Sequence, residues 1–137
     1  MKLASVILAT ALLVRAATAQ QEYESPPPKL IEKASAIAGT AAKACGVATS
    51  PSQNDAGVRC MQAANTSGKP FSFIQRSPGS VAWTGWARGP DQKVYVMWLP
   101  GEPSDPETPY TVECTAFEVG IGAHGIPEAA CSMKRSP

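Results

Sequence analysis

Hydrophobic and polar positions change rhythm several times along this chain, and each change marks an element. Lys2 precedes an apolar run from Leu3 to Val14, and Ala17-Thr18-Ala19 supplies the small residues of a cleavage site. The pattern predicts a secretory signal peptide over residues 1–19, its apolar run too short for a permanent membrane span. The mature chain is expected to begin at Gln20, secreted or periplasmic. Residues 20–28 are polar and end in Pro26-Pro27-Pro28, an extended lead-in. Residues 29–137 then read as one disulfide-stapled domain.

From Lys29 the rhythm is helical. Leu30, Ile31, Ala34, Ile37, Ala38, Ala41, Ala42 and Cys45 recur at steps of three and four, which predicts a helix to Cys45 with Gly46 as its stop. A shorter second helix ends near Asn65. Ser50-Pro51-Ser52-Gln53 fits a capping box, whereas Asp55 fits a later start. If the second helix ran back along the first, a Cys45–Cys60 bridge would favour the later start. Asn65-Thr66-Ser67 also forms a glycosylation sequon.

After Gly68 the period shortens to two. Phe71 to Gln75, Val81 to Arg88, Lys93 to Leu99 and Tyr110 to Phe117 are bounded by Gly or Pro and read as strands, with a bulge or strand end near Ala116. Pro100 to Pro109 holds four prolines and three acids and reads as a long loop. The expected fold class is α+β: an N-terminal helix and a short second helix on a four- to five-stranded antiparallel sheet.

Trp83, Trp86, Tyr95 and Trp98 all fall on the strands around Gly89-Pro90-Asp91-Gln92. A four-residue loop there pairs Arg88 with Lys93, Trp86 with Tyr95, and Trp83 with Trp98. Alternation then assigns Val81, Trp83, Ala87, Val94, Val96 and Trp98 to the interior. The opposite face presents Trp86, Arg88, Lys93, Tyr95 and Met97, a candidate recognition surface. The competing expectation is that the second helix or the Pro-rich loop covers that face.

Charge removes one class of partner. The chain carries twelve Lys and Arg against eleven Asp and Glu, and two of the basic residues, Lys2 and Arg15, lie in the leader. The mature part is thus slightly acidic, which disfavours nucleic acid. Four cysteines in an exported chain predict two disulfides, and nearness in sequence favours Cys45 with Cys60 and Cys114 with Cys131 among the three possible connectivities. Their spacing does not suit a zinc knuckle, and no motif calls for a metal or a cofactor.

Catalytic candidates are sparse. His124 is the only histidine, set among Gly122, Ala123 and Gly125, with Glu113 and Glu118 upstream. Such a trio beside Arg88 would suit a small secreted hydrolase or ribonuclease. Ser77-Pro78-Gly79-Ser80 lacks the nucleophile-elbow spacing. The sequence therefore favours a non-enzymatic binding domain outside the cytoplasm, recognising a protein such as a hydrolase or a cell-surface polymer. A hydrolase and a self-assembling envelope component are the alternatives.

Overall fold

Helix α1 spans Pro28–Ala38 and stops seven residues short of Cys45, because Gly39 takes φ +82°, outside helical space, while its N–H still bonds to the Ser35 carbonyl. The computed structural model describes residues 25–76, 82–99, 108–122, 125 and 127–133. The signal-peptide expectation and residues 20–24 of the lead-in lie outside these residues, as do His124, Ser77 to Val81 and most of the Pro-rich loop; Pro28, expected to close the lead-in, instead opens α1.

Of the residues that extended the helical rhythm, Ala41 and Ala42 lie in the connection after Gly39 and Cys45 belongs to a strand. After Gly39 the chain forms β1 (Lys43–Ala48), then helix α2 (Pro51–Thr66) and strands β2 (Phe71–Arg76), β3 (Trp83–Arg88), β4 (Val94–Leu99) and β5 (Tyr110–Glu113). Ala locally favours a helix, so it is pairing with β2 that makes Lys43–Ala48 a strand. Lys43 N–H bonds to the Pro70 carbonyl at 2.9 Å, and Lys43 and Phe71 open a parallel register. Gly46 is therefore no helix stop. It takes φ +90° inside β1, where the register shifts between Ala44 and Val47.

Strands β1 to β5 form one sheet in chain order. The β1–β2 pair is parallel and the rest are antiparallel, so the sheet is mixed rather than wholly antiparallel. Two further strands, β6 (Ala116–Ile121) and β7 (Pro127–Ser132), pair with each other as a separate hairpin. The chain breaks between Glu113 and Ala116, where the sequence pattern placed a strand end. The architecture is α+β.

Helix α2 begins at the earlier of its two candidate starts. Pro51 occupies the first turn, Ser50 Oγ accepts the Gln53 N–H at 3.4 Å, and Gln53 Oε1 accepts the Thr49 N–H at 2.9 Å. The objection to this start fails because Cys45 lies on a strand. From Cys45 the strand advances about 3.3 Å per residue, and α2 returns at about 1.5 Å per residue, so five strand steps and nine helical steps both cover about 15 Å. Cys45 and Cys60 meet with Cα atoms 5.6 Å apart. Cys114 and Cys131 form the second bridge, joining the end of β5 to β7.

Both faces of the sheet are covered. On one, α1 lays Leu30, Ala34 and Ala38 against Ile74, Trp83, Ala87 and Met97. On the other, Val58, Met61 and Ala64 of α2 pack on Phe71, Phe73, Trp86, Val94 and Val96, and the β6–β7 hairpin adds Phe117, Val119 and Ala129. Phe117 lies 5.8 Å from the Phe71 ring and 5.7 Å from Trp86, centroid to centroid, tilted against both. These are favourable aromatic contacts between the hairpin and the core.

Candidate functional site

One residue in the β3–β4 turn decides which side chains can meet a ligand. Gly89 N–H bonds to the Lys93 carbonyl at 3.0 Å and Gln92 N–H to the Gly89 carbonyl at 3.1 Å, with Gln92 at φ +69°. The loop proper is thus the three residues Pro90-Asp91-Gln92, a β-turn followed by a left-handed residue. Asp91 Oδ1 holds it by accepting the Lys93 N–H at 3.1 Å. Arg88 consequently pairs with Val94, Trp86 with Val96 and Thr84 with Trp98, one residue away from the four-residue expectation.

That shift dissolves the expected recognition face. Trp86 joins Val94, Val96 and Trp98 on the α2 side, while Tyr95 and Met97 join Trp83 and Ala87 on the α1 side. Trp86 is 5% exposed and Met97 0%, so neither reaches a partner. The cover over Trp86 comes from α2 and the hairpin, as the competing expectation had it for the helix. Burial within one chain also removes the argument for self-assembly through this face.

The remaining residues of that set have structural partners. Arg88 donates from Nη1 to the Asn65 carbonyl at 3.1 Å and to Asn65 Oδ1, and from Nη2 to Gln92 Oε1. It thereby ties the end of α2 to the β3–β4 turn. Lys93 Nζ lies 3.3 Å from Glu113 Oε2, and this hydrogen bond and the carboxylate charge raise the Lys93 pKa. Tyr95 donates to Asp91 Oδ2 at 3.4 Å; burial, then the nearby Asp91 and Glu113 charges, push its phenol up. His124 lies outside the described residues; of the carboxylates expected beside it, Glu113 pairs with Lys93 and Glu118 stands exposed on the separate β6–β7 sheet. Among the described residues no group of His, Cys, Asp and Glu could hold a metal ion.

The same register builds a different surface. Gln75 pairs with Thr84, Thr84 with Trp98, and Trp98 with Tyr110, so four strands contribute one side chain each to a single transverse row. Alternation puts this row on the α2 side, adjoining the buried row Phe73, Trp86, Val96 and Val112. Helix α2 and the hairpin cover the buried row but leave this one open. Gln75, Thr84 and Trp98 are partly exposed, and Tyr110 is 56% exposed.

Trp98 and Tyr110 are near-parallel, with ring centroids 6.3 Å apart and planes 26° apart. At about 4.8 Å between strands the row is about 14 Å long. Among the described residues, the Gln75 amide, Thr84 hydroxyl, Trp98 indole N–H and Tyr110 phenol make no hydrogen bond within the chain. None is a buried orphan, in contrast to the indole N–H of Trp86. The row thus joins a stacked aromatic pair to polar groups that have no hydrogen-bond partner among the described residues. A sequence signal for it exists: Trp98 and Tyr110 bracket the Pro-rich loop, so strands joined by that loop bring them opposite each other.

A concavity of about 410 Å³ lies between α1 and the start of β5, lined by Lys29, Glu32, Lys33, Ala36, Thr108 and Pro109. It is open to solvent, and Lys29 is paired with Glu32 at 3.4 Å. With no buried polar group to fix a ligand, it is the weaker candidate. No protein-family model, curated protein or solved structure matches the chain.

Proposed function

We propose that this chain is an exported, non-enzymatic binding domain whose contact surface is the row Gln75, Thr84, Trp98 and Tyr110. The observation that carries the reading is the Trp98–Tyr110 pair, near-parallel and open on the side that the rest of the sheet uses for core. An aromatic pair with unspent hydrogen-bonding groups, held by four hydrogen-bonded strands, is preorganised for contact and loses little freedom on binding. Export is supported by the leader-like residues 1–19 and by two disulfides, which persist in oxidising compartments. Among the described residues no helix is long and apolar enough to cross a membrane. The partner is accordingly a polymer or protein outside the cytoplasm.

The test has two parts. Terminal sequencing of the protein recovered from outside the cytoplasm should show Gln20 as its first residue. The oxidised mature chain, applied to immobilised surface polysaccharides and to hydrolases, should be retained by one of them. Trp98→Ala and Tyr110→Ala should abolish retention with an unchanged far-ultraviolet circular dichroism spectrum. Retention indifferent to both substitutions would sink the proposal.

A further inference from the structure

We infer that Asn65 is the acceptor for an Asn-linked glycan in a eukaryotic secretory pathway, modified before α2 forms. The inference rests on the export half of the reading above and not on the contact row. Three observations carry it beyond the sequon Asn65-Thr66-Ser67 itself.

The first is how the Asn65 amide is used. Its Oδ1 accepts from Arg88 Nη1, and the Asn65 main-chain carbonyl accepts from the same nitrogen at 3.1 Å, so the side chain is anchored through oxygen. Among the described residues no group accepts from Nδ2, and Nδ2 is not a buried orphan as Arg88 Nε is. Glycosylation acts on that nitrogen: a bond forms from Nδ2 to the sugar C1, C1 parts from the lipid diphosphate of the oligosaccharide donor, and one Nδ2 proton is released. The product is still an amide with the same carbonyl oxygen, so Arg88 keeps its acceptor.

The second is room. Asn65 lies in the last turn of α2, with Gln62, Ala63, Thr66 and Ser67 exposed around it. A bulky, solubilising group suits such a solvent-facing helix end. Arg88 lies four strand residues beyond Thr84 on β3, about 13 Å along it, so the glycan is attached away from the contact row.

The third is order of events. The sequon requires the Ser67 hydroxyl, and in the fold Ser67 Oγ donates to the Ala63 carbonyl at 2.9 Å while the Ser67 N–H bonds to the same carbonyl at 3.1 Å. An amide held by Arg88 and a hydroxyl held by Ala63 are not free to enter an enzyme's site. The sugar is therefore attached to the chain before α2 closes, and the finished fold carries it without losing a hydrogen bond.

The full chain expressed in a eukaryotic secretory host tests the inference. Peptide mass spectrometry of the secreted protein should find a glycan on Asn65, released by an amidase specific for Asn-linked sugars and absent in Asn65→Gln and Ser67→Ala. Ser67→Thr should retain it, which keeps the test valid if Ser67→Ala folds poorly. A solubilised oligosaccharyltransferase with its lipid-linked donor should modify the reduced, unfolded chain about tenfold or more faster than the oxidised, folded chain, whose reaction waits on local opening. In urea, the glycosylated protein should unfold at a midpoint no lower than that of the unmodified, oxidised chain. Secretion of an unmodified chain overturns the inference and leaves export standing. Equal rates on folded and unfolded chains overturn the order of events, and a lowered midpoint overturns the retained Arg88 contacts. Failure of secretion counts against export; the mature chain behind a leader of known export then tests Asn65 alone, and absence of a glycan there overturns the inference.

Discussion

Gly57 of α2 rests directly on the Phe73 ring of β2: a Cβ built on Gly57 would lie 1.9 Å from Phe73 Cε2 and 2.4 Å from Cζ. The glycine lets the helix approach the sheet closely enough for Phe73 to be 1% exposed. Two effects compete in Gly57→Ala. Helix propensity regains about 1 kcal/mol, whereas overpacking a rigid ring costs about 1–3 kcal/mol and more when the wall cannot move. Phe73 is held between Gly57 of α2 and its cross-strand neighbour Trp86 and is 1% exposed, so the cost should win. Urea unfolding should show a lower midpoint for Gly57→Ala.

Trp86 and Trp98 share one face of the sheet yet should respond in opposite ways to truncation. Trp86→Ala removes a ring at the centre of the core and should cost about 3–5 kcal/mol, enough to unfold much of the population. Trp98→Ala removes a ring open on one side and should cost far less stability while removing the binding surface. Chemical denaturation beside a binding assay separates the two; equal destabilisation would contradict the register.

The two disulfides should differ in what they hold. Each closes a loop of similar length, with separations of 15 and 17 residues, worth about 3 kcal/mol on the chain-entropy model. Replacing Cys45 and Cys60 by Ala should lower global stability. Replacing Cys114 and Cys131 should in addition loosen the β6–β7 hairpin, which is paired only with itself and rests on the sheet through apolar contacts such as Phe117. Hydrogen exchange should show selective loss of protection in Ala116–Ile121 and Pro127–Ser132.

Alkaline pH should weaken the fold through Lys93 and Tyr95. Both pKa values are raised in the folded chain, Lys93 by its hydrogen bond and charge pairing with Glu113, Tyr95 by burial and then by Asp91 and Glu113. The unfolded chain therefore releases these protons first as pH rises. Their contribution is present below about pH 10 and is lost as pH climbs through the raised values. Because Lys93 is exposed and Tyr95 only partly buried, the effect should be small and should shrink with added salt. Unfolding midpoints from neutral to about pH 11 should fall less steeply in Glu113→Gln.

Several elements were legible without coordinates. The α1 start, the β2 to β5 strand positions and the break before Ala116 follow from periodicity and turn residues, all local signals, whereas nearness in sequence only favours the two disulfide pairs among three connectivities. The α1 end is not legible, because Ala41, Ala42 and Cys45 continue the helical period, whereas Gly39 ends the helix and pairing of Lys43–Ala48 with Phe71 to Gln75 makes the next segment a strand. The candidate site was missed for a related reason. Trp98 was assigned to the interior by a four-residue turn, whereas Gly89 pairs with Lys93 and leaves three.

The sequence alone determined which segments become helices and strands over most of the chain, since those choices rest on neighbours three or four residues apart. It also determined that four cysteines would close into two bridges. Only the tertiary structure decided which face each aromatic occupies. A strand alternates with period two, so one residue more or less in a turn exchanges the faces of every side chain beyond it relative to its partner strand. Local preference barely distinguishes the two turns; burial of Trp86 beneath α2 and Phe117, with Trp98 left beside Tyr110, depends on contacts far apart in the chain.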